Sequence, residues 1–424
     1  MNLIPSGWTN DRLKDVSAIN ASSLPTNTNA DYEFDYLEIS NVNYFGVVDP
    51  EQIERLRYED APSRARRRIA PNSTIISSVR PNLQAVAFIP DAGADLVCST
   101  GFNVVQPHET RLLPRFSYFA LISESARQYF EAAATGVGYP AVGDKEFNSF
   151  PLPLPPLPEQ QRIAAYLDAS CAAIDAAVTA KRRQLETLDN LRWAISLKAV
   201  TQGLNPNVAM RRTGVDWVPE IPAHWEVSKL NTMFRFRKGD KAMELTQKYI
   251  AEYPGEFPVY SGQTADEGLM GSIDSFEFDF ASPVIFVTTV GAKAMTTRIV
   301  SGKFSLSQNC ALIIPWHRGV NVDYYYPAIH SLFDFERRSI ALIMQPSLRF
   351  KDLKKFRLPV PPRDEQREIV AFLKGKSESI ASVIAGIESQ IDTLTAYRKS
   401  LIHECVTGQR RVTEEDFNRV KGHG

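Results

Sequence analysis

Residues 152–163 read LPLPPLPEQQRI and residues 358–369 read LPVPPRDEQREI, an ungapped match at an offset of 206. The same offset carries on to Ala199-Val200-Thr201 against Cys405-Val406-Thr407, so roughly fifty residues are duplicated without insertion or deletion. A repeat of this period sets the organisation of the whole chain. Upstream, Ile4-Pro5-Ser6-Gly7-Trp8 with Arg12-Leu13 matches Ile221-Pro222-Ala223-His224-Trp225 with Lys229-Leu230, now at an offset of 217. Each half therefore starts and ends alike, while the intervening stretches, about 150 and 130 residues long, share no obvious similarity.

The duplicated segment reads as a long helix. Its Pro-rich lead-in stops a strand, and Glu159-Gln160-Gln161 opens a run without proline until Pro206, with an acidic residue at the positive end of the helix dipole. Ile163, Leu167, Cys171, Ile174, Val178, Leu185, Leu188 and Ile195 recur at spacings of three, four or seven, a coiled-coil seam. The second copy places Ile369, Leu373, Ile380, Ile384, Ile387, Ile391, Leu394 and Leu401 on the same seam. A helix of about 40 residues is roughly 60 Å long, more than a small domain needs. Either each helix packs on its own domain or the two pair; matching seams favour an antiparallel pair, with the domains at opposite ends about an approximate two-fold axis.

At 424 residues the chain exceeds the size of one core, and 44% hydrophobic with 23% charged residues is ordinary for a folded soluble protein. With 48 Lys and Arg against 49 Asp and Glu, no global positive field advertises a polyanionic partner, so such a partner requires charge concentrated locally or lent by another protein. Cys98, Cys171, Cys310 and Cys405 lie far apart without a CxxC pair, which argues against zinc knuckles and disulfides and fits a reducing cytoplasm. The Met1-Asn2-Leu3-Ile4-Pro5 start has no basic-then-apolar signal, and no apolar run approaches the ~20 residues of a spanning helix, so neither export nor membrane insertion is expected.

The expected fold class is α/β (mixed α+β). Variable domains cover 1–150 and 205–356, helical spacers 151–204 and 357–409, and a tail 410–424. Short β-rich runs such as Ser73–Val79 and Ser282–Val290 alternate with turn signals in both variable domains. In the first, Arg64, Arg66, Arg67 and Arg68 precede a strand, and Arg80 and Asn82 follow it, a cluster of donors for phosphates and base edges or else a solvated turn. In the second, the donor-rich loops around Tyr260, Ser261 and Gln263, and around Lys293, Thr297 and Arg298, contain glycines that permit close approach, and Gln308 and Asn309 add amides suited to adenine. Ordinary polar turns remain the alternative for these loops.

Several catalytic signatures are missing. There is no GxxxxGK[ST] phosphate loop, no Asn/Asp-Pro-Pro-aromatic methylation motif, and Gly136-Val137-Gly138 lacks the strand-and-helix setting of a cofactor loop. Asp352-Leu353-Lys354 is at most half of a nuclease motif, without a matching upstream acid, and the six histidines are scattered singly. No metal-ligand set stands out.

Carried by PLPPLPEQQRIAAYLD at 153–168, PVPPRDEQREIVAFL at 359–373 and the paired IPxxW segments, the organisation resembles the specificity subunits of Type I restriction-modification systems over nearly the whole chain. The resemblance implies two target recognition domains, each reading half of a split double-stranded DNA sequence, with the helices setting the unread gap. It implies no cofactor on this chain: S-adenosylmethionine belongs to modification subunits, two of them, and ATP and Mg to restriction subunits. It also implies a non-catalytic DNA-binding subunit in the cytoplasm of a bacterium or archaeon, with no membrane partner. Two other readings are a protein-bridging adaptor and the recognition part of a nuclease-methyltransferase.

Overall fold

The computed structural model describes residues 5–421 apart from 43–45, 47, 80–84, 94, 137, 139, 264–267 and 342–345. Arg80 and Asn82 therefore lie outside the described residues, as do Ile4, Val137 and Thr264. The chain forms two compact units, residues 1–182 with 388–424, and residues 183–387. Each unit holds part of both long helices.

The first unit runs β1 (Thr9–Arg12), α1 (Leu13–Val16), β2 (Ser17–Ile19), β3 (Glu33–Leu37), β4 (Glu54–Arg57), β5 (Ala65–Arg68), β6 (Ser73–Ser77), β7 (Val86–Ile89), β8 (Leu96–Ser99) and β9 (Phe102–Pro107). Then come α2 (Pro114–Leu121), α3 (Glu124–Ala133), α4 (Asp144–Asn148), β10 (Pro151–Leu154) and the start of α5 (Leu157–Gln202). The second unit continues with β11 (Met210–Arg212), β12 (Glu220–Pro222), β13 (Glu226–Lys229), α6 (Leu230–Met233), β14 (Phe234–Arg237), α7 (Gln247–Glu252), β15 (Pro254–Tyr260) and β16 (Leu269–Ile273). It ends with β17 (Phe278–Thr288), β18 (Thr297–Leu306), β19 (Cys310–Pro315), α8 (Val322–Ala341), β20 (Arg357–Val360) and the start of α9 (Arg363–Val406); α10 (Glu414–Lys421) closes the chain in the first unit.

Sequences that match between the halves turn out to be partners within each half. β1 pairs antiparallel with β10, Asn10 opposite Pro153, and β13 pairs the same way with β20, Val227 opposite Pro359. Each unit is thus closed by a short ribbon in which its opening segment meets the lead-in to a long helix. Inside, the strand order β2-β9-β6-β7 of the first unit reappears as β14-β19-β17-β18 in the second, extended there by β15-β16. The first unit adds a separate four-stranded sheet, β4-β3-β8-β5. The mixed α/β repeat expected from the sequence is present although the residues forming these sheets are dissimilar.

Period-two alternation explains the layering. Val284, Phe286, Leu312 and Ile314 face one apolar cluster with Phe304, while their neighbours Ile285, Val287, Ala311 and Ile313 face α8 through Tyr324, Ile329 and Phe333. The first unit repeats the scheme: Ile75, Ala87 and Val104 face the second sheet, and Ile76, Val86 and Val105 face Phe116 and Phe119 of α2. Strands buried on both faces read as continuous apolar runs, as residues 284–287 and 311–314 do.

In the first unit, Ile163, Leu167, Cys171, Ile174 and Val178 of α5 share a core with Leu401, Ile402, Cys405 and Val406 of α9. Lys181 bonds Gln390 and Asp175 meets Arg398 at 3.0 Å, so the two segments run antiparallel there. In the second unit, Ala199 and Val200 of α5 join Ile369, Val370 and Leu373 of α9. Leu185, Leu188, Ile195, Ile384, Ile387, Ile391 and Leu394 are half-buried, and Ile380 is buried. Helix α5 contains an 18-residue window of mean hydropathy 1.3, enough by composition to cross a membrane; its larger apolar residues Ile163, Leu167, Ile174 and Val178 are committed to this core.

Both helices end at a glycine in the left-handed region, Gly203 (φ 74°) and Gly408 (φ 76°). A Cβ on Gly203 would lie 3.2 Å from the Trp225 ring, and one on Gly408 2.3 Å from Pro5, so each helix end sits tightly on the IPxxW segment of its unit. The glutamine of the repeated Glu-Gln pair fixes the other end. Gln160, fully buried, accepts from Leu113 N at 2.8 Å and donates to Arg111 O at 2.8 Å and Pro155 O at 2.9 Å. Gln366 donates to Pro361 O at 3.0 Å. Replacing Gln160 by Leu removes the partner of one buried and two part-buried backbone groups and is expected to cost about 1–3 kcal/mol; urea unfolding should show the loss, with Gln366→Leu costing less.

Candidate nucleic-acid interface

In the second unit, four loop segments are laced together by main-chain hydrogen bonds. Ser307 N donates to Tyr260 O (2.7 Å), Gly262 N to Gln308 O (3.0 Å), Thr289 N to Asn309 O (2.7 Å) and Leu348 N to Thr289 O (2.8 Å). The packing needs glycine at 262, where a Cβ would lie 2.6 Å from Asn309, itself at φ 61°. Ser261 is buried in this junction, and Gln263 donates to Leu269 O at 2.7 Å. The 289–296 loop is shaped by Thr288 Oγ1, which donates to Lys293 O (2.8 Å) and accepts from Thr296 N (3.0 Å).

This framework leaves the side chains of Gln308, Asn309 and Lys293 exposed. Half-buried Arg298 lies beside them in the fold, its guanidinium 3.9 Å over the Tyr260 ring and 4.7 Å from that of Phe286. A cation held on two aromatic faces is well oriented, and with its Nε and Nη2 buried Arg298 serves chiefly to support the loop and add positive charge beside it. Thr297 goes to the other face of the strand. Its Oγ1 is 3.1 Å from His330 Nδ1 and its carbonyl accepts from the Tyr326 hydroxyl at 3.2 Å. The structure therefore brings Tyr260, Ser261, Gln263, Lys293, Arg298, Gln308 and Asn309 into one region and separates Thr297 from it.

The arginine run of the first unit is divided. Arg64 is exposed and paired with Glu38 at 2.6 Å, Arg66 lies 4.6 Å from the Tyr58 ring and Arg68 5.6 Å from that of Tyr32. Arg67 points the other way, donating to Phe102 O and, at 3.0 Å, to Asn103 Oδ1, which also accepts from Asn20 Nδ2 at 2.9 Å. Burial lowers the pKa of Arg67. A run contiguous in sequence alternates in direction along a strand, so one of its four members serves the interior.

An anchor common to both units went unread in the sequence. Val79 bridges Ala141 and Val142 N donates to Ser78 O (2.9 Å); equally, Val290 bridges Ser347 and Leu348 N donates to Thr289 O. The same offset of 206 links Pro140-Ala141-Val142 to Pro346-Ser347-Leu348 and buried Phe147 and Phe150 to buried Leu353 and Phe356. The duplication thus begins twelve residues before Leu152; the shared prolines and Phe150/Phe356 were the available signal. Val79 and Val290 thus hold equivalent anchored positions in the two units.

Among the described residues no group of three or more His, Cys, Asp and Glu is placed to hold a metal ion. All four cysteines are buried, and burial pushes the thiols of Cys98, Cys310 and Cys405 up to about 12 and that of Cys171 up to about 11, which keeps them protonated and poor nucleophiles at neutral pH. Burial pushes the His330 imidazole, stacked 3.4 Å from the Trp193 ring, down to about 4. A depressed histidine stabilises the fold above its unfolded pKa of about 6.5 and ceases to as pH falls toward 4. The thermal midpoint of the second unit should drop across that window, and less steeply in His330→Gln.

The family described as Type I restriction modification DNA specificity domain matches residues 5–187 and 222–392, one copy in each half. The Type I restriction enzyme MjaIX specificity subunit of Methanocaldococcus jannaschii is 21% identical over 97% of this chain and 95% of that protein. A type I specificity subunit of Mycoplasma pneumoniae is 30% identical over 157 residues, 36% of this chain and about half (49%) of that relative's length. Among solved structures, a chain described under "Structural basis underlying complex assembly and conformational transition of the type I R-M system" shares the fold, with a TM-score of 0.67, 20% identity, and 96% of this chain and 99% of that one covered.

Proposed function

The chain belongs to the Type I restriction modification DNA specificity domain family and is a DNA sequence-specificity subunit of a type I restriction-modification complex, and from this premise we propose how it does that work. Each unit reads one half of a two-part duplex sequence with side chains carried on loops at its sheet. The chain performs no chemistry itself. Two modification subunits, carrying S-adenosylmethionine, methylate adenine in the sequence it selects, and restriction subunits supply ATP- and Mg-dependent cutting, all in a bacterial or archaeal cytoplasm. Residues 1–150 and 205–356 act as target recognition domains, 151–204 and 357–409 as helical spacers, and 410–424 as a tail.

The observation that carries this reading is the contrast between scaffold and loops. The two halves share strand order, closing ribbon and loop anchor, yet differ in the residues those loops present. Selection for one fold with two different readouts produces that pattern. Gln308, Asn309 and Lys293 supply donors in the second half, supported by Arg298; Arg64, Arg66 and Arg68, with Arg80 and Asn82, supply them in the first.

Methyladenine should be mapped genome-wide after expressing this chain with its modification subunit, against the modification subunit alone. A two-part motif that appears only with this chain supports the reading; association of the subunits without any motif would point to an adaptor. In the same assay, Gln308→Ala with Asn309→Ala should relax one half of the motif and leave the other intact, a loss of about 1–3 kcal/mol for each paired base contact removed.

A further inference from the structure

The net charge of −1 leaves open where a polyanion would be gripped. The duplication provides an internal control for that question, because equivalent scaffold segments of the two units can be compared for charge. Residues 229–238 and 349–357 of the second unit together carry nine basic residues and one acid; the equivalent segments 12–21 and 143–151 of the first carry three of each. Since both pairs of segments build the same ribbon, turn and lead-in, the scaffold does not require the excess. All nine basic side chains are exposed.

Local structure is arranged against electrostatic comfort. Lys229 and Arg357 stand directly opposite one another across the β13–β20 ribbon, a like-charge pair that costs stability in a sheet. Among the described residues neither makes an ion pair, nor do Arg349, Lys351 and Lys354, while Lys355 has Asp352 at 3.6 Å and Arg237 has Asp240 at 2.9 Å and Glu277 at 3.8 Å. Two further cations rest on exposed aromatic faces: Lys238 lies 5.4 Å from the Phe350 ring and Arg235 5.9 Å from that of Trp316, whose indole is fixed by a 3.0 Å bond to Asn231 O. The patch also begins where the reading loop is pinned, since Arg349 directly follows Leu348, the residue bonded to Thr289.

We propose that this face of the second unit, built from 229–238 and 349–357, grips the phosphodiester backbone of duplex DNA independently of sequence, and that the first unit has no equivalent. The inference rests on the reading of the chain as a duplex binder. Base-reading loops select the sequence; this face supplies the counterion-release part of the affinity and holds the second half-site while the first is tested. An unbalanced grip follows, with the second half-site the tighter anchor.

The test uses the full chain and a 40-base-pair duplex of arbitrary sequence, with affinity measured across a salt series. Arg349→Gln, Lys351→Gln and Lys354→Gln combined should lower the log–log salt slope by roughly 2–3 and weaken low-salt binding on the order of tenfold or more. Lys14→Gln with Lys145→Gln, the first-unit control, should change neither. An unchanged slope in the folded triple variant, checked by circular dichroism, overturns the proposal. So does a variant that binds duplex normally but no longer co-purifies with its modification subunit, which would assign the face to a protein. If the wild-type chain with its modification subunits fails to prefer any sequence, the functional reading fails instead, and the salt slope still decides the patch.

Discussion

One residue inserted into an α-helix turns every side chain beyond it by about 100°. That constraint governs the duplicated segment, where apolar residues must stay on one stripe through eleven or more turns to remain covered. It accounts for an offset of 206 held without a gap while most of the sequence between the repeats has diverged. Both ends of each long helix are fixed as well, by a glutamine bound to backbone at the start and by a left-handed glycine seated on tryptophan and proline at the end.

From those fixed helices the order is passed outward within each unit by covalent continuity and a few backbone bonds. The Pro-rich lead-in pairs with the unit's opening strand, the buried aromatic at 150 or 356 precedes it, and the bridge at Ala141 or Ser347 pins the loop beyond the central strand. Loops hung from such a fixture can change residues without changing position. Rigid placement of variable side chains is what recognition of a fixed lattice of bases demands.

Much of this was legible because the strongest sequence signals are periodic. Seam residues such as Ile163 and Ile369 recur at helical spacing and the repeat is two-ended, so helices and duplication could be read directly, whereas the division of both helices between the units, at 182/183 and 387/388, could not. The matching strand order was not legible, since β6 and β17 share alternation but few identities, and alternation is satisfied by many residue types. The reading of sites suffered from direction: Arg64 through Arg68 look equivalent in a string, yet pleating sends Arg67 inward, and Thr297 and Arg298 part company for the same reason. The basic face escaped notice because its two segments are more than a hundred residues apart and each is unremarkable until the ribbon brings them together.

The closing ribbons have an evolutionary corollary. Because each half begins and ends on strands that pair with one another, Thr9–Arg12 with Pro151–Leu154 and Glu226–Lys229 with Arg357–Val360, everything between them leaves and returns through one narrow doorway. Genetic recombination with breakpoints in those short stretches would exchange a whole reading cassette while preserving both junctions and the helix register. A cell could thereby acquire a new DNA address in a single crossover, without passing through intermediates that fail to fold.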